Sequence, residues 1–329
     1  MSLLEVEDLH VWFDLPQRSQ HGGGQVHAAA GVSFALDAGE RFGLVGESGC
    51  GKTTTILALM GLLPPTASLA GQVRVNGVSI LAGGEDSVRA HRWTDIAMVF
   101  QGAMNALNPV KKIGWQIAEP MAFHGIAHGA AARRRAGELL ELVGITAAAA
   151  ERYPHEFSGG MRQRASIAMA LACQPKILLA DEPTTALDVM VQAQILDLLT
   201  RLSLELGLAL VLVTHDLPVV AQVCDRAAVM YAGEIVESGP MEELFHSPRH
   251  PYTRLLFAAT PDLYGEDQVV SIPGTPPRLD RDLPGCPFRP RCDSAFAPCA
   301  GEHPALRAVG PGHEAACHLT RQPAGERHE

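Results

Sequence analysis

Gly46-Glu47-Ser48-Gly49-Cys50-Gly51-Lys52-Thr53 lies between an apolar run, Arg41 to Val45, and a second one from Thr53 to Leu63. The eight residues fit the full G-x-x-x-x-G-K-[ST] pattern, and a strand leading into a helix is the context that pattern requires. The physics asks for these residue types. Glycines let backbone N–H groups turn toward phosphate oxygens, and a helix N-terminus adds a favourable dipole. Lys52 is then expected to reach the outer phosphates, and the Thr53 hydroxyl to coordinate Mg²⁺, with Thr54 beside it. A Gly-rich turn before an arbitrary helix explains less, because strand, motif and helix coincide here.

A second constellation belongs with the first. Lys176 to Ala180 is an apolar strand pattern that ends in Asp181-Glu182. Asp181 at a strand end suits a Mg²⁺ ligand acting through water. Glu182 suits a general base for an attacking water, or a residue that positions it. An acidic turn after a strand is common in isolation; beside a complete phosphate loop it reads as catalytic. Further on, Phe157-Ser158-Gly159-Gly160-Met161-Arg162-Gln163-Arg164 places a serine and paired glycines before a helix, which makes a second phosphate-binding site. The phosphate loop already cradles phosphate from its own side. The second anion site therefore makes most sense across a dimer interface, over another chain's γ-phosphate.

Composition sets the bounds. The chain has 329 residues, 47% of them apolar, which is ample for a core. At roughly 100–200 residues per domain the length allows two domains. A net charge of -10 argues against a nucleic-acid footprint and against general attraction to anionic lipid. No apolar run approaches the ~18 residues of a membrane span; the best is Leu208 to Val213. The first residues, Met1-Ser2-Leu3-Leu4-Glu5-Val6-Glu7, carry acids where a secretory signal needs a basic segment and a long apolar one. A soluble cytoplasmic protein is expected.

The pattern along the chain is that of one large α/β unit followed by a different kind of segment. Leu3 to Phe13 alternates as a strand does, and Gln17 to Gly24 reads as a polar hairpin loop. Val32 to Leu36 and Arg41 to Val45 read as strands around the turn Asp37 to Glu40. Val73 to Ile80 reads as a hairpin strand and Ile96 to Gln101 as a buried one. From about Met104 to Glu156 Gly, Ala and Arg dominate, with helical spacing over Arg133 to Val143, so a small helical insertion is expected. Strands return at Ile177 to Ala180 and Ala209 to Val213, separated by a helix from about Val191 to Glu205. Beyond Pro248 periodicity fades among Pro, Gly and Arg, which places a domain boundary near 240–260.

These motifs together resemble an ABC ATPase, and more closely the ATP-binding subunits of the oligopeptide, dipeptide and nickel importer family. The 157–164 segment resembles the ABC signature, with Phe157 and Met161 at the usual Leu and Gln positions. Gln101 matches the Q-loop glutamine, which senses Mg²⁺ and water. Ala186-Leu187-Asp188 matches the D-loop, and His215, within Val213-Thr214-His215-Asp216, the switch histidine. The subfamily resemblance rests on Asn105-Ala106-Leu107-Asn108-Pro109, Met230-Tyr231-Ala232-Gly233, His250-Pro251-Tyr252-Thr253 and the cysteine-containing tail.

The resemblance implies an α/β fold with a P-loop, RecA-like ABC ATPase core, an antiparallel β subdomain and a helical subdomain. A small irregular C-terminal cysteine-containing domain follows. Residues 1–250 are then the cassette, with its helical insertion at about 104–165, and 251–329 an oligopeptide-transporter-type C-terminal domain. It also implies Glu182, His215 and Gln101 as catalytic residues, with Gly46 to Thr54, Asp181, Ser158, Gly159, Gly160 and Asp188 around ATP. Thr53, Gln101 and Asp181 serve Mg²⁺ in that scheme. The implied partners are a second, related ABC ATPase, two transmembrane permeases and an extracytoplasmic solute-binding protein, at the cytoplasmic face of the cell membrane, with no nucleic acid. The family often stacks an aromatic on adenine just before the second strand. Gln25-Val26-His27-Ala28 has no Tyr or Phe there, so Val26, His27 or Phe13 is left to pack on the base, and modest nucleotide specificity is expected.

Four of the seven cysteines, Cys286, Cys292, Cys299 and Cys317, crowd into the tail. A cytosolic chain rarely uses such clusters for disulfides, so metal ligation comes first. Four thiolates can hold a [4Fe–4S] cluster or a structural Zn²⁺. Tight C-x₂₋₄-C pairs typical of zinc are missing, and the pattern resembles importer subunits that carry an iron–sulfur cluster; free thiols are the third reading. Arg289 and Arg291 would offset the charge of a tetrathiolate site. Cys50 reads as a small spacer, Cys173 and Cys224 as ordinary buried residues. The competing functions are a nickel importer or an exporter subunit, a soluble ABC ATPase acting on nucleic acid or ribosomes, and an unrelated P-loop kinase or GTPase. A single cassette, a short helical insertion and an acidic chain weigh against the nucleic-acid reading, and the signature with its histidine against the kinase.

Overall fold

A computed structural model describes residues 2–15, 24–102, 106–259, 271–280 and 283–321. Most of the expected 17–24 hairpin loop, together with Met104 and Asn105, lies outside the described residues. The first elements are β1 (Leu4–Asp14), β2 (Gln25–Leu36), β3 (Arg41–Val45), α1 (Lys52–Leu59), β4 (Ala67–Val75), β5 (Val78–Ser79), α2 (Gly84–His91) and β6 (Ile96–Val99). Then come α3 (Ile113–Phe123), α4 (Gly129–Leu142), α5 (Gly159–Ala170), β7 (Ile177–Asp181), α6 (Val189–Leu206) and β8 (Ala209–Thr214). The rest comprises α7 (Leu217–Val223), β9 (Arg226–Tyr231), β10 (Glu234–Pro240), α8 (Met241–His246), α9 (Pro251–Ala258), α10 (Pro298–Gly301), β11 (Arg307–Gly310) and β12 (His313–Ala315).

The chain forms two compact units that interleave along the sequence. One comprises residues 1–4, 36–41 and 74–213; the other comprises 5–35, 42–73 and 214–329.

In the first unit β6, β7 and β8 are parallel, with Val99 beside Ala180 and Asp181 beside Val213. Ile177 to Ala180 and Ala209 to Val213 are buried throughout, as a parallel strand covered on both faces must be. Parallel register gathers the carboxyl ends of the strands on one edge, where α/β sheets place their ligands. The helical insertion is α3, α4 and α5. Its apolar spacing buries Ile113, Ile117, Met121, Ala136, Leu139 and Leu140. Pro120 stands inside α3, which obscures that helix in the sequence. The 73–80 hairpin is β4 and β5 turning at Asn76-Gly77, both at positive φ, as this dipeptide favours.

In the second unit β3 runs parallel to β9, β9 pairs antiparallel with β10, and β10 with β12, which pairs with β11. The elements beyond residue 250 were not legible as periodicity, because each is short and paired over long range. The α1 helix stops at Leu59 rather than reaching Leu63: Met60 caps it and Gly61 turns to φ 57°. Cys173 and Cys224 are buried, as expected.

Glu237 fastens β10 to the entry of α9 and to β12. It is fully buried, accepts the backbone N–H groups of Arg249 and His250 at 2.7 and 2.9 Å, and meets His313 Nε2 at 2.7 Å. Removing one member of a buried pair strands the other. Glu237→Ala is expected to cost about 3–5 kcal/mol, read as a lower urea midpoint at unchanged slope; a loss under about 1 kcal/mol would put the anchor elsewhere.

Candidate functional site

The phosphate loop is built by steric exclusion. Gly46 has φ 150°, and a Cβ there would stand 2.3 Å from the Met230 carbonyl oxygen. Gly51 has φ 106° and would put its Cβ 2.0 Å from the Ala28 carbonyl oxygen. The loop thus presses against β2 and the end of β9 too closely for any side chain at these two positions. The Gly233 N–H donates to Cys50 O at 3.0 Å, fixing the loop from the β9–β10 turn. Lys52 opens α1, is 6% exposed, and donates from Nζ to Gly46 O at 2.7 Å and Glu47 O at 3.0 Å. Thr53 and the loop apex Ser48-Gly49 are exposed. Cys50 is buried as the expected spacer, and burial pushes its thiol pKa up.

Glu47 turns its side chain toward the C-terminal segment. Arg291 grips it with Nη1 to Oε2 at 2.6 Å and Nη2 to Oε1 at 3.0 Å. The Glu47 N–H donates to the Tyr252 hydroxyl at 2.9 Å. The hydrogen bond to Glu47 holds the Arg291 guanidinium above its ordinary pKa, and burial raises that of Tyr252. Sequence reasoning gave Arg291 only to the cysteine site and Tyr252 only to a family string. His215, in this unit, is exposed just before Asp216, the cap of α7. Trp12 and His27 stack with ring centroids 6.3 Å apart. Trp12 was not singled out in the sequence, and it packs on His27, one of the residues left there to pack on the base.

The other unit brings together a different set. The parallel register of β6 and β7 sets Gln101 beside Glu182, and Gln101 Nε2 donates to Glu182 Oε2 at 2.7 Å. Thr185 Oγ1 donates to the same oxygen at 2.9 Å. Glu182 sits at φ 42°, a left-handed conformation rare for a residue with a side chain and frequent at functional sites. Asp181 is 1% exposed at the end of β7. Ser158 caps α5, its hydroxyl accepting from the Met161 N–H at 3.3 Å, and stays exposed beside Gly159 and Gly160. A Cβ on Gly160 would stand 2.7 Å from Val191 Cγ1. The start of α6 is in turn capped by the Asp188 carboxylate, which accepts from Val191 N–H at 3.0 Å. The signature-like loop and the D-loop-like turn are thus packed together within this unit.

The insertion also carries a groove of about 850 Å³ along α3 and α4. Trp115 and Phe123 line it and are 47% and 67% exposed.

In the tail, Cys286, Cys292, Cys299 and Cys317 line one small cavity, with His250, Phe288 and His318. Burial raises the thiol pKa values of Cys286 and Cys292, and that of Cys317 to about 11, and neighbouring thiols add to the rise in each case. Among the described residues no group of three or more His, Cys, Asp or Glu side chains is gathered closely enough to hold a single metal ion. Among them, too, no helix is long and apolar enough to cross a membrane.

Residues 29–185 match the family model described as ABC transporter, and residues 236–299 the one described as oligopeptide/dipeptide transporter, C-terminal region. A probable peptide ABC transporter ATP-binding protein of Sinorhizobium fredii is 47% identical, covering 96% of this chain and 94% of that one. The dipeptide transport ATP-binding protein DppD of Bacillus subtilis is 44% identical over 98% of this chain and 96% of its own. The oligopeptide transport ATP-binding protein OppD of Salmonella typhimurium is 46% identical, with 96% and 93% covered. Among solved structures, the post-hydrolysis dimer of the ATP-binding cassette MJ0796 bound to ADP and Pi superimposes with a TM-score of 0.63 at 29% identity. That match spans 72% of this chain and 98% of the cassette.

Proposed function

The chain belongs to the family of ABC transporter ATP-binding proteins, with the C-terminal region of its oligopeptide/dipeptide branch, and from that premise we propose that it hydrolyses ATP to drive peptide import through permease partners. The observation that carries this reading is the presence of the phosphate loop, acid pair, signature, Q-loop, D-loop and switch-histidine motifs in one chain that is alike over nearly its whole length to peptide-transport ATPases. We take residues 1–250 as the cassette, with its helical insertion at about 104–165, and 251–329 as the C-terminal domain.

Each residue has a physical role in this scheme. The N–H groups from Gly46 to Thr54, with the Lys52 ammonium, hold the phosphates. Thr53, Asp181 and Gln101 would hold Mg²⁺, which neutralises phosphate charge when bound. Glu182 is the general base for the attacking water, aimed by the hydrogen bonds from Gln101 and Thr185. His215 contacts the γ-phosphate. Ser158, Gly159 and Gly160, with Asp188, close over the nucleotide held by a second, related ATPase, and that subunit's counterparts close over this one's. The apolar groove on α3 and α4 supports docking of a permease segment there, since exposed rings of this size commonly mark partner surfaces. Two permeases and an extracytoplasmic solute-binding protein complete the assembly, at the cytoplasmic face of the cell membrane, with no nucleic acid.

Glu182→Gln is expected to retain ATP binding while lowering turnover in the reconstituted transporter by about 10²–10⁴-fold, the usual worth of a general base. The unaltered assembly should hydrolyse ATP faster when the solute-binding protein is loaded with peptide. Unchanged hydrolysis in the variant would remove Glu182 from the base role, and indifference to the loaded binding protein would remove peptide import.

The four tail cysteines fit a thiolate-held group by their donor chemistry and shared cavity, although they are not gathered around a single ion. We infer a [4Fe–4S] cluster, which takes one thiolate per iron and so needs no single-ion geometry; Zn²⁺ is the alternative. Such a group would supply a structural tie, held by the Cys286, Cys292, Cys299 and Cys317 thiolates, and its binding would release thiol protons. Anaerobically purified protein is expected to contain about four irons and four sulfides per chain, with a broad visible band. Stoichiometric zinc would make the tail a zinc clip, and neither metal would leave the thiols free.

A further inference from the structure

The phosphate loop contains an acid, Glu47, at a place where a nucleotide brings several negative charges. A carboxylate there repels the triphosphate unless it is neutralised or turned away. Both happen through residues far along the chain. Arg291 stands 244 positions from Glu47, is 3% exposed at its side chain, and binds both carboxylate oxygens in the fork geometry that suits guanidinium to carboxylate. Arg291 itself is aimed from three sides. Its Nε donates to Pro273 O at 2.7 Å, its Nη1 reaches the Tyr231 hydroxyl at 3.4 Å, and its guanidinium lies 5.8 and 5.9 Å from the rings of Tyr231 and Phe288. Phe288 packs on Tyr231 and Tyr252 at 5.2 and 5.3 Å, and Tyr252 accepts the Glu47 N–H. Both Phe288 and Arg291 lie between Cys286 and Cys292 in sequence, inside the cysteine segment.

We propose that Arg291 is a positioning residue of the ATP site: by neutralising Glu47 and turning it away from the phosphates, it makes nucleotide affinity depend on an intact cysteine segment. The proposal rests on the phosphate loop being the nucleotide site. It gives the tail a task besides any group it holds. Linkage makes the dependence reciprocal, so bound nucleotide in turn steadies the cysteine segment.

The test is calorimetric titration of Mg-ATP into the full chain. Arg291→Met leaves Glu47 charged and unpaired, and is expected to weaken ATP binding at least tenfold, with KM for ATP rising and kcat nearly unchanged in the assembled transporter. Glu47→Gln removes the charge instead and is expected to bind within about threefold of the unaltered chain. The decisive variant is the double one: adding Glu47→Gln to Arg291→Met should restore binding to within about threefold, an interaction only a double-mutant cycle isolates. A residue that merely supports the fold would show no such rescue. Arg254→Ala serves as the control, because its ion pair with Asp293 at 2.9 Å holds the same segment without touching the loop, and its ATP affinity should not change. Thermal midpoints of each variant identify misfolding. Unchanged affinity in Arg291→Met, or a double variant no better than Arg291→Met, overturns the proposal. Absence of ATP binding by the unaltered chain would instead remove the premise on which it stands.

Discussion

The second unit depends on one steric constraint: the phosphate loop lies against backbone with no room for a Cβ at Gly46 or Gly51. The carbonyl oxygens of Met230 and Ala28 come within 2.3 and 2.0 Å of where those atoms would be. Both contacts are with backbone, which cannot move aside as a flexible side chain can. The end of β9 and the middle of β2 therefore fix where the loop runs, and β3 delivers the chain into it in parallel register with β9. Lys52, Glu47 and Cys50 then have their places assigned. Lysine turns onto the loop's own carbonyls, the cysteine fills the inside of the turn, and the acid turns toward the tail.

The other unit obeys a different constraint, that of parallel strand register. Val99 lies beside Ala180, so the residue two past the end of β6 meets the residue one past the end of β7. Gln101 and Glu182 are 81 residues apart in sequence, yet their 2.7 Å hydrogen bond follows from that register alone. The strain at Glu182 belongs to the same geometry. Its N–H is taken by the Val213 carbonyl at 2.8 Å, so its backbone is tied to β8 while its carboxylate is held from the β6 side. Strain of this kind costs about 1–3 kcal/mol and persists only where surroundings over-determine it. Two backbone and side-chain anchors on one residue meet that condition.

How much of this was legible in the sequence depends on the range of each interaction. The phosphate loop, the acid pair and the signature-like serine with its glycines are local strings whose chemistry depends on spacing, and they could be read directly. The strands at 177–180 and 209–213 announced themselves by unbroken apolar character, as buried parallel strands do. α3 was hidden because Pro120 breaks the expected pattern without breaking the helix. The tail was hidden for a deeper reason. Its elements are three to eight residues long and gain their stability from partners such as Glu237 and Tyr231, which lie outside the tail. No periodicity records such contacts.

Arg291 is the sharpest case of that limit. Beside Cys292, in a Pro- and Cys-rich string, its charge reads as a counterweight to thiolates. In the fold the same charge faces Glu47, while Arg289 lines the cysteine cavity and Arg254 acts against the rise that burial gives the Cys292 thiol. The difference changes what the tail can do. A cation that balances thiolates acts only on a bound group, whereas a cation clamped on the phosphate loop acts on the loop's own electrostatics whether or not the cysteine cavity is filled. Bidentate geometry, near-complete burial and the neighbouring rings of Tyr231 and Phe288 leave this guanidinium little freedom to serve both sites at once. The cysteine segment is therefore better understood as part of the wall behind the phosphate loop than as an appendage to the cassette.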